Sequence, residues 1–275
     1  MGHLVWIASY PKSGNTWIRA FLHNYIRQPD APYDINHLTD LTAADINAER
    51  YQRYDSRPAS NYTIADVQRM RRLVHRDLTA LDSTLVFVKT HNARLQVAGA
   101  PLITPEVTAG AIYIVRDPRD VAISYSRHRG RSIDDTIAFM ADPEAATGGT
   151  DSKIYERLGS WSMHVHSWTS PPDPRVHVVR YEALCSAPEA TFGPQIRWLG
   201  QEPPRERLNR AIRFSAFDEL RAQEQVDGFK ERTAESSAPF FGTGKPGLWR
   251  SVLSPAQQAR IEREHGTMMQ RFGYL

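Results

Sequence analysis

The 275-residue sequence contains a single cysteine, Cys185, and no apolar run of the roughly 20 residues that a membrane-spanning helix needs. One cysteine excludes an internal disulfide framework and is typical of a protein from a reducing cytoplasm. The N-terminus leads directly into a predicted strand, which gives no signal peptide. We therefore expect a cytoplasmic protein without a membrane span.

Metal-binding patterns are also missing from the sequence. The chain has no HExxH, no CxxC and no carboxylate cluster, and His164 and His166 would point to different sides of a helix. We therefore predict no metal site. The charge balance is nearly even, with 34 Lys and Arg against 31 Asp and Glu. This argues against a nucleic-acid-binding protein and favours a local basic cleft for a small polyanion.

The stretch HLVWIASYPKSGNTWIRAFL, residues 3–22, predicts a buried strand, a tight loop and a helix. Residues 4–8 form the apolar run of a covered parallel strand, and apolar residues return at helical spacing from Trp17 to Tyr25. The free N–H groups and the positive dipole end of a helix start make an anion site, to which Lys12 adds a full charge. We therefore expect a phosphate-binding loop here.

The order of residues in this loop differs from that of a nucleotide-triphosphate loop, which has Gly, four residues and then Gly-Lys-Ser/Thr. Here Lys12 precedes Gly14. YPKSGNTW, residues 10–17, resembles instead the 5′-phosphosulfate loop of sulfotransferases that use 3′-phosphoadenosine 5′-phosphosulfate (PAPS). Trp17 then packs either on the adenine of the donor or in the protein core. The resemblance implies that the other loop residues bind the donor: Lys12, Ser13, Gly14, Asn15 and Thr16.

A second apolar strand, TLVFVKTH, ends at residue 91. Ligands of open parallel sheets lie at the carboxyl ends of the strands, so Lys89 and His91 fall where chemistry is expected. In sulfotransferases the Lys-Thr-His triplet at this place carries the catalytic base. The resemblance gives that role to His91 and places Lys89 on the transferring group. A surface histidine that merely follows a strand is the alternative.

A third strand leads into a helix in AIYIVRDPRDVAISY, residues 111–125, with Asp117 as the expected N-cap. Arg116 and Ser124, eight positions apart, resemble the pair that binds the 3′-phosphate of PAPS in the family. A guanidinium fork suits phosphate oxygens, and the serine hydroxyl is a further donor. We count Ser124 among both the donor-binding and the catalytic residues.

Two further elements resemble parts of the sulfotransferase nucleotide site. Tyr181 follows a fourth strand, RVHVVRYE, at the place of a family tyrosine that contacts the nucleotide, although simple packing explains it equally well. Ser215 and Phe217 match a hydroxyl residue and a phenylalanine that flank the adenine.

The glycine-rich stretch FFGTGKPGLWR, residues 240–250, resembles the loop that closes over the 3′-phosphate. Gly244 and Gly247 match this loop, but Gly242 and Thr243 stand where Arg-Lys is usual. The sequence leaves open whether Lys245 or Arg250 supplies the missing charge.

The remaining segments give expectations about structure. We predict short helical pieces near residues 35–41 and 43–51, an amphipathic helix over 66–81 and another helix over 154–168. Residues 142–151 should form a mobile segment over the acceptor site. The expected acceptor walls are residues 28–62, 127–153 and 226–241. We place four arginines on the solvated side of the 66–81 helix: Arg69, Arg71, Arg72 and Arg76.

Together, the motifs predict one α/β domain over residues 1–275, with a central parallel sheet flanked by helices. The resemblance implies that the enzyme moves a sulfuryl group from PAPS to a hydroxyl or amine of a small-molecule acceptor by in-line displacement. Adenosine 3′,5′-bisphosphate (PAP) leaves, and Lys12 and Lys89 neutralise the leaving oxygen without a metal. The first motif looks most like that of bacterial soluble sulfotransferases.

Two other functions compete with sulfuryl transfer. A phosphotransferase would need Mg²⁺, and a non-catalytic binder of sulfated glycans would have no nucleotide affinity. The sequence does not identify the acceptor. It lacks the C-terminal dimer signature of the animal cytosolic enzymes, so a homodimer and a monomer both stay open.

Overall fold

A parallel sheet forms the centre of the fold. The computed structural model describes residues 2–233, 236 and 238–275. Its strands, in chain order, are β1 (His3–Ser9), β2 (Thr42–Ala44), β3 (Leu85–Thr90), β4 (Gln96–Val97), β5 (Ala100–Pro101), β6 (Thr108–Val115), β7 (Ala146–Thr147), β8 (Glu156–Arg157) and β9 (Val176–Arg180). The central sheet has the order β2-β3-β1-β6-β9, and all of its strand pairs are parallel. β4 pairs with β5, and β7 with β8, as separate antiparallel ribbons.

The helices lie on both sides of this sheet. In chain order they are α1 (Asn15–Arg27), α2 (Ala48–Gln52), α3 (Ile64–Leu78), α4 (Pro118–Arg129), α5 (Ile133–Ala141), α6 (Trp161–Thr169), α7 (Tyr181–Ser186), α8 (Pro188–Trp198), α9 (Arg205–Phe214), α10 (Phe217–Asp227), α11 (Trp249–Val252) and α12 (Pro255–Arg271). Short 3₁₀ segments cover Ile35–Asp40, Ala59–Asn61 and Pro105–Val107. No helix in the described ranges combines the length and the apolar character needed to cross a bilayer.

Alternation along β1 explains why both faces of the sheet are covered. Leu4 and Trp6 pack into a cluster with side chains of α4, α5, α6 and α12, whereas Val5 and Ile7 pack into a cluster with side chains of α1, α8 and α9. All four strand residues are almost completely buried. Such near-continuous apolar strands are typical of parallel sheets with helices on both faces. The predicted fold class is confirmed.

The strand at one edge of the sheet was not predicted. Residues 43–51 were expected to be helical, but β2 pairs with β3, and α2 starts only at Ala48. A three-residue strand is too short to show the alternation by which a strand is recognised. The predicted helix over 154–168 is likewise wrong in its first half, where β8 pairs with β7 and α6 begins at Trp161.

Arg71 of α3 was predicted to be solvated and is instead buried. Its Nη1 lies 3.4 Å from a carboxylate oxygen of the buried Asp45, and its Nε donates to Gln68. Arg69 and Arg72 are exposed, as predicted. The charged partner of Arg71 is 26 residues away in the chain, so the periodicity of the helix alone could not reveal it.

Candidate active site

The loop between β1 and α1 turns sharply through two residues with positive φ. Lys12 has φ 65°, and Gly14, the N-cap of α1, has φ 109°. A Cβ on Gly14 would lie 2.7 Å from the ring of Tyr181, so both the backbone conformation and the close approach require glycine. Asn15 fastens the loop to the sheet, because its side-chain amide donates to the carbonyl of Ile7 at 2.8 Å.

The start of α1 presents hydrogen-bond donors. Gly14 offers no side-chain cap, so the N–H groups of the first turn have no intrahelical acceptor. Ser13 Oγ and Trp17 Nε1 are buried polar atoms without a hydrogen-bond partner among the described residues. Since buried donors normally have acceptors, this arrangement is what a site for an anionic ligand requires.

A cavity of about 340 Å³ opens at the carboxyl ends of the central strands. It brings together most of the residues that the sequence predicted for the site. Those lining it are Lys12, Gly14, Asn15, Thr16, Trp17, Lys89, His91, Arg116, Ser124, Tyr181, Phe217 and Gly244. Its walls also include parts of the three predicted acceptor segments, such as Ile46, Thr147 and Phe240. Residues 234, 235 and 237 of the third segment lie outside the described residues.

The Lys12 ammonium lies 3.2 Å from the ring centroid of Phe240, and both residues line the cavity. Burial, followed by the nearby Arg116, lowers the pKa of Lys12 to about 7. The face of the aromatic ring acts in the opposite direction, because it favours the charged amine. An anion placed beside Lys12 would also favour the ammonium form, so this lysine can become fully charged when it binds one.

Hydrogen bonds fix the His91 imidazole in one tautomer. Its Nδ1 lies 2.8 Å from the carbonyl oxygen of Ser9, which can only accept, so Nδ1 carries the proton. Nε2 therefore keeps its lone pair, on a ring that lines the cavity. Burial and the neighbouring Lys89 lower the pKa of His91 to about 3, which leaves the imidazole neutral near pH 7. Its backbone N–H donates to Glu156 at 2.9 Å.

Lys89 has a carboxylate partner inside the cavity. Its Nζ lies 2.8 Å from Oε2 of Glu231, and Oε1 of the same carboxylate lies 2.5 Å from Nη1 of Arg19. The Glu231 side chain is 24% exposed and that of Lys89 is 19% exposed. Burial alone would raise the pKa of Glu231, but Lys89 and Arg19 together lower it below its usual value, so the carboxylate is ionised near pH 7.

Arg116 joins the β1–α1 loop to the side of the cavity where Tyr181 lies. Its Nη1 donates to the carbonyl of Lys12 at 3.0 Å, and its guanidinium lies 4.2 Å from the ring centroid of Tyr181. Its Nε is buried without a hydrogen-bond partner among the described residues. Ser124 lies two turns along α4 and lines the same cavity. The predicted N-cap Asp117 is confirmed, since its carboxylate accepts from the N–H of Arg119.

The glycine-rich stretch closes over this side of the cavity. Tyr181 donates its hydroxyl to the carbonyl of Gly244 at 2.7 Å, and a Cβ on Gly244 would lie 2.6 Å from the ring of Phe217. Asp120 of α4 accepts from the N–H groups of Gly247 at 2.6 Å and Trp249 at 3.0 Å. Trp17 packs edge-to-face against Tyr181, and both rings line the cavity next to the loop.

Four predicted site residues do not line the cavity. Ser13 is a fully buried residue of the loop, and the fully buried Ser215 donates its hydroxyl to the carbonyl of Ala211 in α9. The N–H of Gly247 donates to the carboxylate of Asp120, and the side chain of Lys245 is exposed. Arg250 is also exposed and stacks on Trp249.

Sequence reasoning singled out none of several charged groups of the cavity, although all but Glu156 lie within the predicted acceptor walls: Arg127, Glu156, Glu231 and Arg232. Nη1 of Arg127 lies 3.6 Å from the position of a Cβ on Gly242, where the family pattern has arginine. Its spacing of three from Ser124, on the same face of α4, is the one signal that could have identified it. Glu156 lies in the two-residue strand β8, and Glu231 and Arg232 lie in an irregular segment, so no periodicity indicates where these side chains point.

A comparison with protein families shows to which family the chain belongs. The model described as "Sulfotransferase domain" matches residues 3–273. The chain belongs to the sulfotransferase family. It is therefore an enzyme of the sulfotransferase class, and the resemblance to the PAPS-dependent sulfotransferases is confirmed.

Curated relatives have the same class name. Rat "Sulfotransferase 1 family member D1" is 25% identical over 278 residues, which cover 96% of this chain and 82% of that protein. "Cytosolic sulfotransferase 16" of Arabidopsis thaliana is 24% identical over 283 residues, which cover 93% and 73%.

Solved structures share the fold. Mouse sulfotransferase SULT7A1 complexed with PAP has a TM-score of 0.63 at 19% identity, covering 97% of this chain and 84% of that one. Retinol dehydratase in complex with androsterone and the inactive cofactor PAP also has a TM-score of 0.63 at 19% identity, covering 97% and 80%. In the described part of this sulfotransferase, no group of three or more His, Cys, Asp or Glu residues could hold a metal ion.

Proposed function

We propose that residues 1–275 form one sulfotransferase domain that binds PAPS in the cavity at the β1–α1 loop and transfers its sulfuryl group to a small-molecule hydroxyl or amine. The observation that carries the proposal is the convergence of three features on one cavity. These are the donor-rich start of α1, the cations Lys12, Lys89 and Arg116, and a neutral His91 with a free Nε2.

The donor atoms of the cavity suit a nucleotide with charge at both ends. Near the loop, the first-turn N–H groups of α1 and Lys12 would hold the phosphosulfate. On the side of Tyr181, the unpartnered Nε of Arg116 and the hydroxyl of Ser124 would hold the 3′-phosphate. Trp17 and Phe217 supply ring faces for the adenine between these ends. Similarity to proteins crystallised with PAP supports the same donor.

PAPS supplies a sulfuryl group whose bond to the 5′-phosphate oxygen breaks as the bond from the acceptor oxygen or nitrogen to sulfur forms. His91 Nε2 takes the acceptor's proton, and its Nδ1–H stays bonded to Ser9. Lys12 and Lys89 neutralise the negative charge that develops on the leaving oxygen. As in phosphoryl transfer, the protein mainly positions the groups and stabilises charge. No residue in this sequence of steps depends on Mg²⁺.

Calorimetric titration of the protein with PAP, with and without EDTA, tests this function. We expect PAP to bind with the same affinity in both buffers, because protein cations and N–H groups replace the metal. A requirement for Mg²⁺ would favour the phosphotransferase alternative. A protein that binds no PAP in either buffer would favour the anion-binding alternative and contradict the proposal.

A further inference from the structure

Glu231 enters the cavity from the segment that covers it, between α10 and the glycine-rich stretch. It is 142 residues from Lys89 and 212 from Arg19 along the chain, yet it contacts both. Arg19 is 1% exposed, and its Nε donates to the hydroxyl of Thr42 in β2 at 2.9 Å. That hydroxyl donates in turn to the carbonyl of Leu38 at 2.6 Å. The Glu231 carboxylate is thereby fastened to the edge of the sheet.

A carboxylate repels an anionic donor that binds beside it, so its presence here calls for an explanation. Glu231 lies against two cations, and the three groups together carry one net positive charge. The Lys89 ammonium has three N–H donors. One of them donates to Glu231, which leaves two for a ligand. A flexible lysine would lose more side-chain freedom on binding the transferring group than one that is already held.

The segment that covers the cavity, here called the cover, includes Phe229, Glu231, Phe240 and Phe241. Glu231 is not the only residue that holds it in position. Glu224 at the end of α10 accepts from the N–H of Phe240 at 2.6 Å and from that of Phe241 at 2.8 Å. Phe229, Phe240 and Phe241 pack on one another above α10. The contact between Glu231 and Lys89 is therefore not the only attachment of the cover.

We propose that Glu231 is a positioning residue that holds the Lys89 ammonium in the direction of the transferring group. The inference rests on the proposed function, because it gives Lys89 its role at the leaving oxygen. Glu231 acts through Lys89 and does not itself contact the donor. The transfer step therefore depends on Glu231 much more strongly than nucleotide affinity does.

The substitution Glu231→Gln keeps the size of the side chain and removes its charge. Glutamine has an NH₂ group in place of one carboxylate oxygen, so it cannot reproduce both the Oε1 bond to Arg19 and the Oε2 bond to Lys89, and Lys89 loses its fixed direction. The lost charge-assisted hydrogen bond should slow PAPS cleavage about 10- to 100-fold. The Kd for PAP should stay within about threefold, since the variant removes a negative charge near an anionic ligand.

The experiment measures single-turnover cleavage of PAPS, with 4-nitrophenol as acceptor and with water alone, together with the Kd for PAP. Four proteins form a cycle: wild type, Glu231→Gln, Lys89→Met and the double variant. Because Glu231 acts through Lys89, Glu231→Gln should have no further effect in the Lys89→Met background. Glu224→Gln is the matched control, since it alters the cover and leaves the Glu231–Lys89 pair intact.

Each outcome decides between the alternatives. Slow cleavage with nearly unchanged PAP affinity and a non-additive cycle supports the positioning role. Unchanged cleavage in Glu231→Gln, an equal loss in the Lys89→Met background, or an equal loss in Glu224→Gln overturns it. A wild-type protein that neither binds PAP nor cleaves PAPS overturns the proposed function itself.

Discussion

Replacement of His91 by alanine is expected to lower sulfuryl transfer by about 10²- to 10⁴-fold, the usual contribution of a general base. The imidazole is held neutral, its Nδ1 proton is bonded to Ser9, and Nε2 has the only lone pair that the ring can offer to the cavity. Without it, the acceptor's proton has no side-chain acceptor at this position. The initial rate of PAP formation from PAPS measures the loss.

Two controls separate this effect from a loss of structure. The Kd for PAP should stay near the wild-type value, because the proposed phosphate contacts come from the β1–α1 loop, Arg116 and Ser124. Imidazole added to the variant should restore part of the rate, since it can fill the space left by the ring. Wild-type turnover in His91→Ala would remove this residue from the role of base.

Replacement of Arg116 by alanine should weaken PAP binding by roughly 30- to 1,000-fold, or about 2 to 4 kcal/mol. Truncation of one partner of a buried charged hydrogen bond typically has an effect of this size. Arg116 is 8% exposed, and its Nε is free to donate. The comparison ligand is adenosine 5′-monophosphate, which lacks the 3′-phosphate. Calorimetry measures the Kd for each ligand, and the result to compare is the ratio of the affinity for PAP to the affinity for adenosine 5′-monophosphate.

This ratio distinguishes phosphate recognition from damage to the loop. Arg116 also holds the Lys12 carbonyl, so some loss for both ligands is expected. Arg119→Ala is the matched control, because Arg119 binds Asp117, Glu262 and the carbonyl of Tyr274 and does not line the cavity. It should lower stability and leave the ratio unchanged. An unchanged ratio in Arg116→Ala would exclude this arginine from the 3′-phosphate site.

The sequence predicted the parts of the site that lie on regular elements. Four strands of the central sheet are recognisable as apolar runs: β1, β3, β6 and β9. Residues that follow the carboxyl end of each of these strands meet at one cavity. The parallel sheet makes this convergence a matter of geometry, because neighbouring strands end at the same edge. His91 and Arg116 therefore could be placed from local sequence alone.

The cover of the cavity could not be predicted in the same way. Glu231 and Phe240 reach Lys89 and Lys12 from segments more than 140 residues away, and neither lies in a helix or strand. Arg71 was misplaced for a related reason, since its partner Asp45 lies just after β2, a strand too short to recognise. Contacts of high sequence separation leave no periodic pattern.

The account as a whole depends on where the nucleotide binds, and a crystal structure of the protein with PAP tests this most directly. We expect the 5′-phosphate against the N–H groups at the start of α1 and Lys12, and the 3′-phosphate on Arg116 and Ser124. The adenine should lie between Trp17 and Phe217. PAP bound outside this cavity, or bound with its two phosphates exchanged, would contradict the assignment.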